Sequence, residues 1–303
     1  MNMKFKTILT ISLIVSLIMV IVLVIGHQNI SPEHVKVRIA TTTSLYATGL
    51  LDYLASKFRE MYGHDAILAF MPLGSGEALR RAKNGDACLV LVHAPSLEKE
   101  YISKGVLIDG HIFAYNYFVI VGPKEDPAGV SQSGNVLEAF RRIYLAGEVG
   151  KAKFISRGDR SGTHIRELMI WNLTGLNPRG KSWYIETGSG IGKTLLVADE
   201  FNAYTLSDVG TFLRFKGEGR IPNLVILYTN DSELINIYSV YLVNSCNGIE
   251  RSIAEDFINF LVNNAQELIA KYGVDKYGQP LFYPAKDRIE ELSKLWIKLV
   301  NKD

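Results

Sequence analysis

Glycines and small polar residues open the helices that the sequence predicts, and these residue types are suited to binding anions. Five such segments are present: Thr41-Thr42-Thr43-Ser44, Gly74-Ser75-Gly76, residues 156–163, Gly188-Ser189-Gly190 and residues 205–208. The N–H groups at a helix N-terminus lack intrahelical acceptors and carry partial positive charge. Hydroxyl groups add donors, and glycine lets the backbone approach a ligand. Because the same residues are ordinary N-caps, only the whole set, with Arg157 inside it, indicates an anion site.

Residues 186–196, ETGSGIGKTLL, are similar to a nucleotide-binding P-loop but depart from it. The motif needs a glycine five residues before Gly192, where this chain has Thr187. An apolar run ending in an aspartate that could hold magnesium, VLID at 106–109, precedes the segment and is weak. We therefore expect no nucleotide hydrolysis, and we expect Lys193 to lie at the surface.

Residues for catalysis or metal binding are not arranged in a recognisable motif. The six histidines are scattered, with no two at metal-ligand spacing on one predicted helix. Ser161 and His164 are not part of a G-x-S-x-G nucleophile elbow, so His164 is expected to cap or pack. We predict no catalytic residues, no metal and no cofactor. The alternative from another class is an extracytoplasmic phosphate-ester hydrolase using the same loops, which would need a nucleophile or a metal cluster.

The charge balance and the N-terminus bear on partners and location. The chain has 303 residues with 33 basic and 31 acidic side chains, a net charge of +2. This near-neutral balance does not indicate the concentrated basic surface that binding of nucleic acid needs. Lys4 and Lys6 precede 18 uncharged residues, 8–25, which are just long enough to cross a bilayer. Residues 1–30 are thus predicted to be a membrane anchor or, alternatively, a cleaved signal peptide, and the body is predicted to be extracytoplasmic.

The two cysteines, Cys88 and Cys246, both lie in or beside apolar strand-like runs. They could pair, but the sequence does not show that their Cα atoms come within bridging distance. We expect two buried free thiols rather than a disulfide.

Short apolar runs alternate with helical patterns from Val35 onward. Strands are predicted at 35–40, 66–70, 87–92, 111–115, 117–123, 154–156, 183–185, 203–206, 224–228 and 238–243. The first helix, predicted over 45–62, places Leu50, Leu51, Leu54 and Phe58 on one face. Alternating strands and helices predict an α/β protein with mostly parallel sheets covered by helices.

Several segments together resemble the tungstate-binding proteins of the TupA type, which are solute receptors of ABC importers. The resemblance covers about residues 37–243 and rests on TTTSLYATGLLDYL, GSGEALRRAKNGDACLVLVHAP, YNYFVIVGPKEDPAG, FISRGDRSGTHIRELMIW and IGKTLLVADEFNAYTLSDVGTFL. It implies the two-lobed type II periplasmic-binding-protein fold, with residues 35–115 and 240–303 in lobe I and 116–239 in lobe II. Where the family more often has Met-Gly before Thr-Leu, this chain has Gly192-Lys193, so the P-loop similarity is a variant of a family helix start.

The resemblance also implies a ligand and a site. The oxyanion would bind between the lobes, at Thr42, Thr43, Ser44, Ser75, His93, Arg157, Ser161, Gly162 and Thr163. Closure about hinges near 114–118 and 228–240 would let a monomeric receptor deliver the anion to the permease of an ABC transporter.

The identity of the oxyanion stays open between tungstate, molybdate, sulfate and phosphate. Phosphate receptors of the superfamily have a loop ending Asp-Ala-Pro, whose carboxylate accepts the proton of hydrogen phosphate. This chain has His93-Ala94-Pro95 there, and a site made of donors suits a fully deprotonated dianion. The preference for tungstate over molybdate rests only on the resemblance to the family.

Overall fold

The computed structural model describes residues 35–63, 66–229 and 231–301. The predicted N-terminal anchor or signal peptide lies outside these ranges. Within them, no helix combines the length and the apolar character needed to cross a membrane.

In the described ranges, ten strands form two sheets that share one strand, together with a small two-stranded sheet. The strands are β1 Val35–Thr42, β2 Ala66–Leu73, β3 Leu89–Val92, β4 Leu107–Pro123, β5 Phe154–Ser156, β6 Tyr184–Glu186, β7 Thr205–Asp208, β8 Leu224–Tyr228, β9 Ile235–Val243 and β10 Tyr283–Pro284. The first sheet has the order β10-β4-β9-β3-β1-β2. In the second sheet, β7 and β8 both pair with β4, and β5 pairs with β6 in the small sheet.

Helices follow most of these strands. They are α1 Thr43–Ala47, α2 Leu50–Tyr62, α3 Ser75–Lys83, α4 Pro95–Ser103, α5 Val136–Glu148, α6 Gly162–Thr174, α7 Ile191–Glu200, α8 Val209–Gly217, α9 Gly248–Asn259, α10 Gln266–Lys271, α11 Val274–Tyr277 and α12 Ile289–Val300, with a π-helical turn at Phe260–Asn264 between α9 and α10. The single helix predicted over 45–62 is divided at Gly49, whose φ of 81° is left-handed. A Cβ there would lie 2.8 Å from the Tyr272 hydroxyl, so this position requires glycine.

The sheets are mixed, and parallel pairing holds for only some of the strands. Strands β1 and β3 are parallel, as are β5 and β6. Strand β9 is antiparallel to β3 and β4, and β4 is antiparallel to β7, β8 and β10. The antiparallel pairs arise because β4 and β9 carry the chain between the sheets, and the sequence pattern of a buried strand does not report its direction.

Strand β4 is one continuous strand where the sequence predicted two. Its residues from Leu107 to Tyr117 pair with β9, and its residues from Phe118 to Pro123 pair with β7 and β8. Phe118 and Ile120 pack into one apolar cluster, whereas Val119 and Val121 pack into another on the opposite face. Burial on both faces explains the continuous apolar run from Tyr117 to Val121. The predicted lobe boundaries fall inside β4, between Tyr115 and Asn116, and inside β9, between Ser239 and Val240, and they remain predictions.

The prediction of free cysteines was wrong, because Cys88 and Cys246 form a disulfide with their Cα atoms 5.0 Å apart. The Val243 N–H donates to the Cys88 carbonyl (2.9 Å), which aligns the start of β3 with the end of β9. The pairing of β3 with β9 brings these cysteines together although they are 158 residues apart, and the sequence does not reveal this pairing. In the described part of the chain, the one group of three metal-ligating side chains is this pair with Glu250, and both thiols are in the disulfide.

Candidate functional site

Arg157 is the charged centre of the candidate site. It follows β5, and it is 1% exposed. Its Nη2 donates to Thr43 Oγ1 (3.0 Å) and to Asp159 Oδ2, and its Nη1 donates to Thr163 Oγ1 (3.4 Å). Burial lowers the pKa of the guanidinium and the charge of Asp159 opposes this, so the group stays a cation. Its Nε is buried without a hydrogen-bond partner among the described residues.

The start of helix α6 lies beside this guanidinium. Ser161 is the N-cap, and its Oγ accepts a hydrogen bond from the His164 N–H (3.3 Å). Asp159 Oδ1 accepts from the Ser161 N–H (3.1 Å), which ties the loop that carries Arg157 to the helix. A helix of this length, 13 residues, carries a partial positive charge at its N-terminus.

A second helix start, that of α3, meets α6 from the first sheet. The Gly162 N–H donates to Ser75 Oγ (3.2 Å), and both residues are buried. A Cβ on Gly74 would lie 3.4 Å from the Asp159 carbonyl, so α3 begins directly against the Arg157 loop. Two helix N-termini therefore meet at one point, which is the arrangement that binds anions in proteins.

The threonine-rich segment after β1 completes this cluster. Thr42 is the N-cap of α1, and its Oγ1 accepts from the Leu45 N–H (3.3 Å) and lies 3.2 Å from Ser44 Oγ. Thr43 accepts from Arg157 and is also close to α7, because a Cβ on Gly190 would lie 3.3 Å from Thr43 Oγ1.

His93 follows β3 and lies behind Ser44. Its ring is 3% exposed, and Nε2 lies 3.2 Å from Ser44 Oγ while Nδ1 lies 2.7 Å from Asn236 Oδ1. Burial, with a smaller contribution from Arg157, lowers the pKa of His93 to about 3. The imidazole is therefore neutral at physiological pH, and it is not a second cation for an anion.

The structure brings all nine predicted site residues into one connected cluster. Eight of them are buried, and Thr43 is half-buried. The Thr211 Oγ1 hydroxyl donates to the Ser44 carbonyl (3.2 Å), so helix α8 also contacts the cluster.

Sequence reasoning missed three residues of this cluster. Asp159 orients Arg157, and it stands only two positions away in the same loop, which was an available clue. Asn236 holds His93 and is a polar residue inside an otherwise apolar strand, β9. Asp208 caps α8 through the Thr211 N–H (2.9 Å), and burial raises the pKa of Asp208.

Another buried carboxyl group, Glu167, supports the Arg157 loop from below. Ser156 Oγ (2.8 Å), Trp171 Nε1 (3.2 Å) and the Tyr184 hydroxyl (2.6 Å) all donate to Glu167. Burial raises the pKa of Glu167 to about 7. These bonds join β5, α6 and β6 immediately before Arg157, so they hold in place the backbone from which the guanidinium projects.

The segment similar to a P-loop has a structural explanation. Lys193 is exposed, as predicted, in the first turn of α7. Thr194 is fully buried, and its Oγ1 lies 3.1 Å from Thr187 Oγ1 and 3.3 Å from the Gly190 carbonyl. Lys193 and Thr194, which would bind phosphate and magnesium in a P-loop, therefore lie in different surroundings. Of the nearby glycines, Gly190 packs against Thr43 and Gly192 packs against Phe215.

A match to a protein-family model shows the superfamily to which this chain belongs. A family model described as a PBP superfamily domain matches residues 28–265. This match covers most of the chain and, together with the two sheets that share β4, confirms the predicted α/β periplasmic-binding-protein fold.

Individual relatives define the family more closely. The chain is 39% identical over 251 residues to the tungstate-binding protein TupA of Peptoclostridium acidaminophilum, covering 81% of this chain and 84% of the relative. A tungstate ABC transporter structure from Geobacter sulfurreducens matches with 37% identity and a TM-score of 0.69, covering 79% of this chain and 99% of that one. TupA from Desulfovibrio alaskensis G20 matches with 36% identity and a TM-score of 0.67, covering 82% and 98%. The chain belongs to the TupA family of the PBP superfamily.

Proposed function

We propose that this protein captures tungstate between its two lobes and delivers it to the permease of an ABC transporter. The observation that carries the proposal is the buried Arg157, whose Nε has no partner among the described residues, at the meeting point of helices α3 and α6. An unpartnered buried donor is costly, and an oxyanion would satisfy it. The names of the family members described above support tungstate as that anion.

The charges and donors of the cluster suit a fully deprotonated dianion. Thr43 and Thr163 hydroxyls and the N–H groups of the helix starts supply neutral donors around one guanidinium. Asp159 is a carboxylate close to this site, but both of its oxygens already accept hydrogen bonds, from Arg157 and from Ser161. These bonds tie the Asp159 carboxylate to its own loop, and the donors around Arg157 favour a dianion without a proton, such as tungstate, molybdate or sulfate, over phosphate.

The receptor would act outside the cytoplasm. Residues 1–30 would hold the protein at the extracytoplasmic face of the membrane as an anchor, or direct its export as a signal peptide, and the receptor would act as a monomer.

Strands β4 and β9 would be the hinge, since residues 114–117 of β4 pair with 235–238 of β9 in antiparallel register. The hydrogen bonds of Arg157 with Thr43 and of Gly162 with Ser75 would then join the two lobes in the closed form.

Isothermal titration calorimetry of the full chain with tungstate, molybdate, sulfate and phosphate tests this function. We expect tight binding of tungstate, weaker binding of sulfate and none of phosphate, while molybdate measures how far the site separates two tetrahedra of nearly equal size. Tight binding of phosphate would contradict the ligand, and binding of none of the four would contradict the site.

Replacing Lys193 with alanine is expected to leave tungstate affinity within about twofold of the unchanged chain. The side chain is exposed, so its charge is screened by solvent and ions. The same titration with ATP should show no binding in either protein. A large loss of tungstate affinity, or ATP binding that depends on Lys193, would mean that the glycine-rich segment binds a ligand directly.

A further inference from the structure

His93 lies beside the anion cluster, but its ring is held by the strands behind it. The ring stacks on Tyr238 of β9, with centroids 4.9 Å apart and planes 19° apart, and faces Phe118 of β4 at 6.0 Å. A Cβ on Gly162 would lie 2.9 Å from His93 Cε1, so the start of α6 packs closely against the ring edge. These contacts leave the imidazole a single orientation.

The hydrogen bonds around His93 show which of its ring nitrogens carries the proton. The amide nitrogen of Asn236 donates to Asn116 Oδ1 (2.8 Å) and to the Tyr238 hydroxyl (2.8 Å), which uses both of its protons. Asn236 Oδ1 is therefore an acceptor, and the donor to it must be His93 Nδ1–H. In a neutral imidazole, Nε2 is then unprotonated and accepts a hydrogen bond.

Ser44 supplies that hydrogen bond. Its Oγ is fully buried, 3.2 Å from His93 Nε2 and 3.2 Å from Thr42 Oγ1. A serine has one hydroxyl proton, and Nε2 can only accept, so the proton of Ser44 is directed to His93 and Thr42 donates to Ser44. The hydroxyl of Ser44 is thus used inside the protein.

Charged groups around the ring favour its neutral form. Burial is the main cause of the lowered pKa of His93; the hydrogen bond with Asn236 opposes it, the positive charges of Arg157 and Arg166 lower the pKa further, and Asp159 raises it. Tyr238, on the other face, has a pKa raised well above its ordinary value by burial, so it is neutral too.

We propose that His93 is a positioning residue that acts on the anion through Ser44 and does not contact the anion itself. By holding the Ser44 hydroxyl on Nε2 and Asn236 on Nδ1, it fastens the segment that carries Thr43 to strand β9. This inference rests on the proposed function for its effect on affinity, and it gives His93 a role different from the ligand that the sequence predicted.

Nitrogen NMR of the full chain labelled with ¹⁵N-histidine, without any anion, tests the tautomer directly. We expect His93 to carry its proton on Nδ1, with an unprotonated Nε2, unchanged between about pH 5 and 8. An imidazolium in this range, or a proton on Nε2, would overturn the proposal. This measurement needs no variant and does not depend on which anion the protein binds.

A double-mutant cycle tests the action through Ser44. His93→Phe keeps the ring stacking but removes both nitrogens, and Ser44→Ala removes the hydroxyl. Each change is expected to weaken tungstate binding about tenfold, and the double variant should be no weaker than the single variants, because both remove the same link. A loss of about a hundredfold in the double variant would show independent roles and overturn the proposal.

A matched control separates this role from general effects of losing a histidine. His111→Phe changes a histidine outside the cluster, whose side chain is 41% exposed and whose Nε2 lies 2.8 Å from Asp109 Oδ1, and it should leave tungstate affinity unchanged. If the unchanged protein fails to bind tungstate, the proposed function fails, whereas the tautomer measured by NMR still decides the hydrogen bonding of His93.

Discussion

Replacing Arg157 with alanine is expected to weaken tungstate binding by at least a thousandfold, to a level that calorimetry does not detect. The guanidinium is 1% exposed, so its charge acts on a bound dianion with little screening by water. Charge-assisted hydrogen bonds of this kind contribute about 1.5–3 kcal/mol each, and truncation also leaves Asp159 without its partner. The uncompensated carboxylate would then repel the anion, so two effects act in the same direction.

The matched control for this change is Arg160→Asn in the same loop. Arg160 is exposed, and its φ of 56° is left-handed, a conformation that asparagine tolerates well. We expect this variant to keep its tungstate affinity, and circular dichroism should show that both variants are folded. Retained binding in folded Arg157→Ala would remove the site assignment altogether, whereas equal losses in both variants would indicate a general effect of the loop.

Removing the disulfide by Cys88→Ala with Cys246→Ala is expected to lower stability by about 2–5 kcal/mol and the melting temperature by roughly 5–15 °C. The bond closes a loop between residues 158 positions apart, so its loss releases a large conformational entropy in the unfolded chain. Tungstate affinity should not change, because Cys88 precedes β3 and His93 follows it, about 15 Å along the strand.

Thermal unfolding with and without a reducing agent provides the measurement and its internal control. The reducing agent should lower the melting temperature of the unchanged protein and have no effect on the double variant. Two titratable thiols in the unreduced, unfolded protein would show that the disulfide is absent. A loss of tungstate affinity in the double variant would mean that the start of β3, next to Cys88, is coupled to the anion site.

The helix starts and their loops were predictable from the sequence, because N-cap chemistry is local. Ser161, Ser75 and Thr42 lie at the first residues of helices or just before them, where their residue types predicted them. Alternating strands and helices likewise predicted the α/β class. These features depend on a few consecutive residues, so they can be read without knowledge of the tertiary structure.

Features that depend on distant pairs were not predictable in the same way. The disulfide, the antiparallel pairing of β9 and the hydrogen bond between His93 and Asn236 all join segments more than a hundred residues apart. The residue type of His93 indicated the chemistry of a ligand, and only its neighbours in space show that Nδ1 is committed to Asn236. Polar residues in apolar strands, such as Asn116 and Asn236, are the clue that a buried network was present.

The continuity of β4 has a consequence for how this protein unfolds. One strand supplies hydrogen bonds to both sheets, and its alternate side chains fill the apolar clusters on both faces of the second sheet. Losing either sheet would expose part of the same strand to water, so the loss of one half destabilises the other. Residues Lys36–Asp303 should therefore melt as one cooperative unit, and cutting the chain at the predicted lobe boundary would not yield two stable fragments.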